Sequence, residues 1–143
     1  LIENLYVKRD SLALIVFNGS GARVVIPPTR RYFDIFEAIE TLPTGGRTPL
    51  SAALQKLLEI TKAFKLKHRN AVVRAILITD GKANVPLYGR DIEREIETFC
   101  RAIVKANIEL IIYDTRPTTI FDPAISYTET IARNTGGKLY RIN

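Results

Sequence analysis

The sequence contains no methionine and no tryptophan, and among its 143 residues there is one cysteine and one histidine. Cys100 therefore has no partner for an intrachain disulfide. A four-ligand zinc centre would need more thiolates and imidazoles than Cys100 and His68 supply, so that class of site is excluded. Hydrolytic triads are excluded on similar grounds: there is no Gly-x-Ser-x-Gly elbow, and His68 sits in a basic stretch with no nucleophile close by in sequence. Long apolar runs are also missing. Nothing approaches the roughly 20 residues that a membrane-spanning helix needs, and the N-terminus shows no signal-peptide core or cleavage site. A cytoplasmic, membrane-free location is the expectation that follows.

What is present is ordinary for a folded domain. Hydrophobic residues make up 46% and charged residues 25%, values that argue against disorder and low complexity. The length suits one core, so residues 1–143 are expected to form a single domain. The excess of 21 Lys and Arg over 15 Asp and Glu gives a net charge of +6. The densest basic cluster, Lys62, Lys65, Lys67, His68, Arg69 and Arg74, begins at an expected helix C-terminus, where positive charge complements the helix dipole. That placement argues against a nucleic-acid surface.

Hydrophobic periodicity sets the element order. Ser11 to Phe17 and Ala22 to Ile26 are short β-branched runs joined by Asn18-Gly19-Ser20-Gly21, which reads as a hairpin stopped by Pro27-Pro28. Tyr32 to Leu42 carries Phe33, Phe36, Ile39 and Leu42 at spacings of three, one helical face. A second amphipathic helix runs from Thr48 to Phe64, with Thr48 as N-cap and Pro49 at the first helical position. Ala75 to Thr79 is a near-continuous apolar run ending in Asp80-Gly81, as expected of a strand buried on both faces. Asp91 caps a helix reaching Asn107 with Cys100 in its core face, and Ile108 to Tyr113 forms another buried strand. Ala124 to Asn134 reads as helix, Gly136-Gly137 as its stop, and Lys138 to Ile142 as a last strand. The alternation predicts a doubly wound α/β fold: a mostly parallel sheet, one antiparallel hairpin strand, and helices on both faces.

In such sheets ligands bind outside the carboxyl ends of the strands, which is where the loops carrying Thr48 and Asp80 belong. A threonine oxygen and a strand-end carboxylate suit a hard cation such as magnesium, which keeps several waters and takes only one or two carboxylates. Each residue also has a plainer reading, Thr48 as a helix cap and Asp80 as a turn former. Gly45-Gly46-Arg47-Thr48 could instead cradle a phosphate at the helix N-terminus, although the spacing and lysine of a P-loop are absent. Gly46, Arg47, Gly81, Lys82 and Asn84 are read as rim residues available to a partner. Asp114 could face the same crevice, with capping or turn formation the stronger reading.

Four segments together resemble the von Willebrand factor A-type domain of magnesium chelatase D-type and cobaltochelatase subunits. They are Arg9 to Ile15, Ile26 to Arg30, Leu42 to Leu50 (LPTGGRTPL) and Ile78 to Pro86 (ITDGKANVP). The resemblance implies that the last two segments carry the second and third loops of a metal-ion-dependent adhesion site, with Thr48 and Asp80 as Mg2+ ligands. It implies a binding module and not a self-sufficient enzyme, docking an AAA+ ATPase or chelatase subunit through an acidic side chain on that partner. The readings that compete are a phosphate- or nucleotide-binding enzyme domain and a metal-independent scaffold for another ATPase complex.

Two departures qualify the resemblance. Arg47 stands where the family has a third glycine, and nothing in the sequence matches the family's first loop, Asp-x-Ser-x-Ser after a central first strand. With no methionine and a start at Leu1, an N-terminally truncated chain is the expectation. Weak or absent Mg2+ binding by this stretch alone then follows. So does a gap in the sheet, closed by a homo-oligomer that borrows a strand, by pairing of the flanking strands, or by partial unfolding.

Overall fold

The computed structural model describes residues 10–19, 21–42, 48–83, 85–89, 91–115 and 126–141. Nine elements follow in order among them: β1 (Leu12–Asn18), β2 (Gly21–Thr29), α1 (Tyr32–Glu40), α2 (Leu50–Lys67), β3 (Val73–Thr79), α3 (Ile92–Lys105), β4 (Ile108–Asp114), α4 (Tyr127–Thr135) and β5 (Lys138–Arg141). The α/β alternation expected from periodicity is present throughout.

The front hairpin closes on the pair Asn18 and Gly21, with Gly19 at φ +61° taking the left-handed conformation that such a tight turn demands. Its second strand does not stop at Pro27. It continues to Thr29, because the register steps from Leu14 opposite Ile26 to Leu12 opposite Thr29, leaving one extra residue on β2. A bulge absorbs Pro27 and Pro28, residues that cannot donate to a ladder and are tolerated at such irregularities.

β3, β4 and β5 form a parallel three-stranded sheet, with Val73 opposite Ile108 and Thr79 opposite Asp114 in one unbroken register. Helices α2, α3 and α4 connect or flank these strands. Their apolar faces meet the sheet in a core built from Leu50, Leu54, Leu77, Ile96, Cys100, Ile103, Ile108, Leu110, Ile112, Tyr127 and Ile131. Cys100 is fully buried there as expected, and burial, with Glu97 nearby and partly offset by Arg101, pushes its thiol up to about 11. That thiol is a packing group without thiolate reactivity near neutral pH.

Two helices differ from their expected form. In α1 the buried residues are Tyr32 and Ile35, whereas Phe33 is 69% exposed and Phe36 and Ile39 are exposed as well. Residues spaced by three wind around a helix by roughly 60° per step, so Phe33, Phe36 and Ile39 do not hold one line along the axis. The Tyr32 hydroxyl donates to the Asp10 carbonyl and helps to set which face turns inward. In α2 the N-cap position belongs to Pro49 and not to Thr48, and no side chain caps the helix there. Its C-terminal turn carries Lys65 and Lys67, and the His68 ring stacks on Phe64 at 4.4 Å. The basic cluster therefore begins as a helix-end feature. No helix among the described residues is long and apolar enough to cross a membrane.

The described strands fall into two sheets, β1 with β2 and β3 with β4 and β5; β1 and β3 are not hydrogen-bonded to one another. Between them lies a cleft of about 590 Å³, walled by Leu14 to Asn18 of β1 and Ala75 to Asp80 of β3, with Leu54 and Leu57 of α2 also lining it.

Candidate metal-ion site

β3 delivers Asp80 to the carboxyl edge of the parallel sheet. The apolar run before it makes a strand, and Gly81 ends that strand with φ +80°, a backbone state that a side chain would strain. The turn is tied on several sides. Asp80 Oδ1 accepts the Lys82 N–H at 3.0 Å, and Thr79 Oγ1 accepts the Gly81 N–H at 3.2 Å. The Gly81 carbonyl accepts the Tyr127 N–H at 2.9 Å, which couples the turn to the start of α4. Space excludes a side chain at Gly81 as well: a Cβ there would lie 2.4 Å from Ser126 Oγ.

The turn-forming reading of Asp80 is thus realised through one carboxylate oxygen. A carboxylate has about four acceptor sites, so this bond orients the group without exhausting it. The capping reading of Thr48 is not realised, since the helix begins one residue later. Thr48 is half-buried, and its carbonyl accepts the Leu50 N–H at 3.0 Å. The fully buried Pro49 and Leu50 that follow anchor this point of the chain in the core.

Thr48 and Asp80 line the same cleft, together with Asn18, Thr79 and Thr115. Their donor set is one neutral oxygen and one carboxylate, which fits part of a magnesium site and does not complete one. Among the described residues no three His, Cys, Asp or Glu side chains gather as a metal-binding group. Of the rim residues read from sequence, Lys82 is exposed beside the site, while Gly81 is buried and acts through its backbone. Gly46, Arg47 and Asn84 lie outside the described residues.

One acidic group, Glu95, escapes the sequence reading, and a second, Asp114, appears there as a cap, a turn former or a crevice residue, with no sign of its burial or its partners. Glu95 of α3 accepts N–H bonds from Leu87, Tyr88 and Gly89, fastening the loop that follows Asp80 onto α3. Burial pushes its carboxyl up, but these three N–H groups, aided by Ser51, pull harder and hold it below the ordinary glutamate value. Ser51 Oγ is buried and makes no hydrogen bond of good geometry, so it acts on Glu95 as a nearby dipole. Asp114, at the end of β4, is fully buried. Its Oδ2 accepts from Thr128 Oγ1 at 2.8 Å and from Arg141 Nη1 at 3.3 Å. The one signal for Glu95 in the sequence is its place two residues past the acidic Glu93 in the first turn of a helix capped by Asp91. The place of Asp114 after a strand marks it for the carboxyl edge of the sheet, and nothing local signals its burial against Thr128 and Arg141.

Comparison with known proteins identifies the fold family. A family model described as von Willebrand factor type A domain matches residues 1–82. The magnesium-chelatase 67 kDa subunit of Chlorobaculum parvum is 33% identical over 127 residues, covering 81% of this chain and 20% of that protein. An uncharacterized protein of Methanocaldococcus jannaschii is 31% identical over 142 residues, covering 99% of this chain and 80% of its own length. Among solved structures, the conserved hypothetical protein BatB of Bacteroides thetaiotaomicron superposes with a TM-score of 0.68 at 16% identity, covering 99% of this chain and 76% of that one. That last likeness concerns the fold. The chain spans about a fifth of the length of the chelatase subunit it matches.

Proposed function

The chain belongs to the von Willebrand factor type A domain family, is related to a region of magnesium-chelatase subunits, and from that premise we propose that it is a metal-ion-assisted protein-interaction module. The observation that carries the reading is the meeting of Thr48 and Asp80 at one cleft, at the carboxyl end of β3. Thr48 would offer a hydroxyl and Asp80 a carboxylate to Mg2+, and the ion would supply a positive centre for an acidic side chain of the partner. The partner we infer is an AAA+ ATPase or another subunit of a chelatase-type complex, with ATP chemistry residing in that partner. The chain's own residues bind and orient; no nucleophile or general base is required of them. Lys82, exposed beside Asp80, adds a further positive group to the rim.

The test is capture of the associated ATPase by the full-length protein, with magnesium and with chelator. Capture is expected to fail under chelation and in Asp80→Ala, and to weaken in Thr48→Ala. Capture that survives both chelation and Asp80→Ala would leave a metal-independent scaffold in place of this reading. Because no Asp-x-Ser-x-Ser occurs in the 143 residues, this stretch alone is expected to show no calorimetric saturation by magnesium below millimolar concentrations. Micromolar affinity would overturn that expectation.

A further inference from the structure

Asp114 is a completely buried carboxylate that the proposed function does not use. Removing a carboxylate from water is costly unless it is paired and hydrogen-bonded, and apolar residues of similar volume would hold α4 to β4 at least as well. The hydrogen bonds around it run in a definite direction. Thr128 Oγ1 donates its single proton to Asp114 Oδ2 at 2.8 Å. In the 3.0 Å contact between Ser126 Oγ and Thr128 Oγ1, Ser126 must therefore be the donor. Ser126 Oγ in turn occupies the space that a Gly81 side chain would fill, and the next residue, Tyr127, donates its N–H to the Gly81 carbonyl.

The chain of contacts thus leads from Asp114 through Thr128 and Ser126 to Gly81, which adjoins Asp80. A second tie runs through the backbone: Thr79 pairs in register with Asp114, and the Thr115 N–H donates to the Thr79 carbonyl at 3.0 Å. Arg141 fixes the far end, with Nη1 at 3.3 Å from Asp114 Oδ2 and Nη2 at 2.7 Å from Glu129 Oε1.

We propose that Asp114 is a positioning residue for the Asp80 turn, acting through Thr128 and Ser126 to hold the Asp80 carboxylate in its cleft-facing place. The consequence for an ion rests on the function proposed above; the effect on the turn does not. The reporter is the Lys82 N–H, whose bond to Asp80 Oδ1 orients that carboxylate.

Thr128→Val in the full-length protein keeps the side-chain shape and deletes the link. In metal-free protein it is expected to speed amide hydrogen exchange at Gly81 and Lys82 about tenfold, while the amides of β4 and α3 keep their wild-type rates. In the presence of Mn2+ as a spectroscopic probe, the same variant is expected to lose about tenfold in affinity, the lower end of what disrupted outer-shell partners of a metal site cost. Placed in an Asp80→Ala background, Thr128→Val should cause no additional loss of Mn2+ binding. Unchanged exchange at Gly81 and Lys82, or an equal rise across the whole protein, would overturn the proposal. Should wild-type protein bind no Mn2+, the ion-site reading fails, and the exchange measurement alone decides the positioning role.

Discussion

Gly81 is the residue on which the geometry of the site turns, for two separate reasons. Its φ of +80° is strained for any L side chain, and a Cβ would meet Ser126 Oγ at 2.4 Å. Gly81→Ala is therefore expected to destabilise the protein by about 1–3 kcal/mol, the range for a non-glycine residue forced into such a backbone state. Adding Ser126→Ala removes the clash and leaves the backbone strain, so the double variant should recover part of the loss. Thermal denaturation of the two variants checks this, and equal midpoints would contradict it. Asp80 was legible in the sequence because an apolar strand ending in Asp-Gly announces both a buried strand and a sharp turn. Thr48 was legible as a residue of the cleft at the strand ends, although its place in the helix was not: Thr-Pro suggested a cap, and the helix starts one residue on, with Pro49 and Leu50 buried. Asp114 was legible as a strand-end residue but its pairing was not, since its partners Thr128 and Arg141 are 14 and 27 residues away, and only folding brings them together.

At the level of elements, α3 does more than fill the core. Asp91 caps it by accepting the Arg94 N–H, while Glu95 reaches back to three successive backbone N–H groups of the loop after Asp80. The carboxyl of Glu95 is held below its ordinary value in the folded chain. A depressed carboxylate contributes stability that is present above its unfolded pKa, near about 4.3, and is lost as pH falls through the folded value. Glu95→Gln should therefore lower the melting midpoint at neutral pH, and the gap from wild type should shrink as pH drops below about 4. A gap that stays constant into acid would remove the charge from the explanation. The elements themselves were read from sequence where a strong period met a clear stop, as in β3, α3 and β4. Where two weak signals competed the outcome differed: Pro27-Pro28 became a bulge inside β2, and the spacing of three in α1 mistook its buried face.

On the scale of the whole molecule, the open question is what the two sheets present to each other. The expected options included direct pairing of the strands that flank the cleft, and among the described residues β1 and β3 do not pair. Among the described residues each is therefore paired with a strand along one side, and the other side faces a cleft whose walls include Leu14, Val16, Ile76 and Ile78. Ile78 is 61% exposed, a large apolar side chain left uncovered on a strand edge. An edge with no strand partner among the described residues and with apolar surface beside it is a template for another strand. The 143-residue chain is accordingly expected to self-associate, with a mass in solution that rises with protein concentration. Ile78→Lys places a charge against the cleft, the device that blunts exposed edges elsewhere, and should return the mass to that of a monomer. Asp80→Ala, which changes the proposed ion site and leaves the apolar walls intact, should not. A monomeric mass at every concentration would mean that the cleft is already closed to other chains.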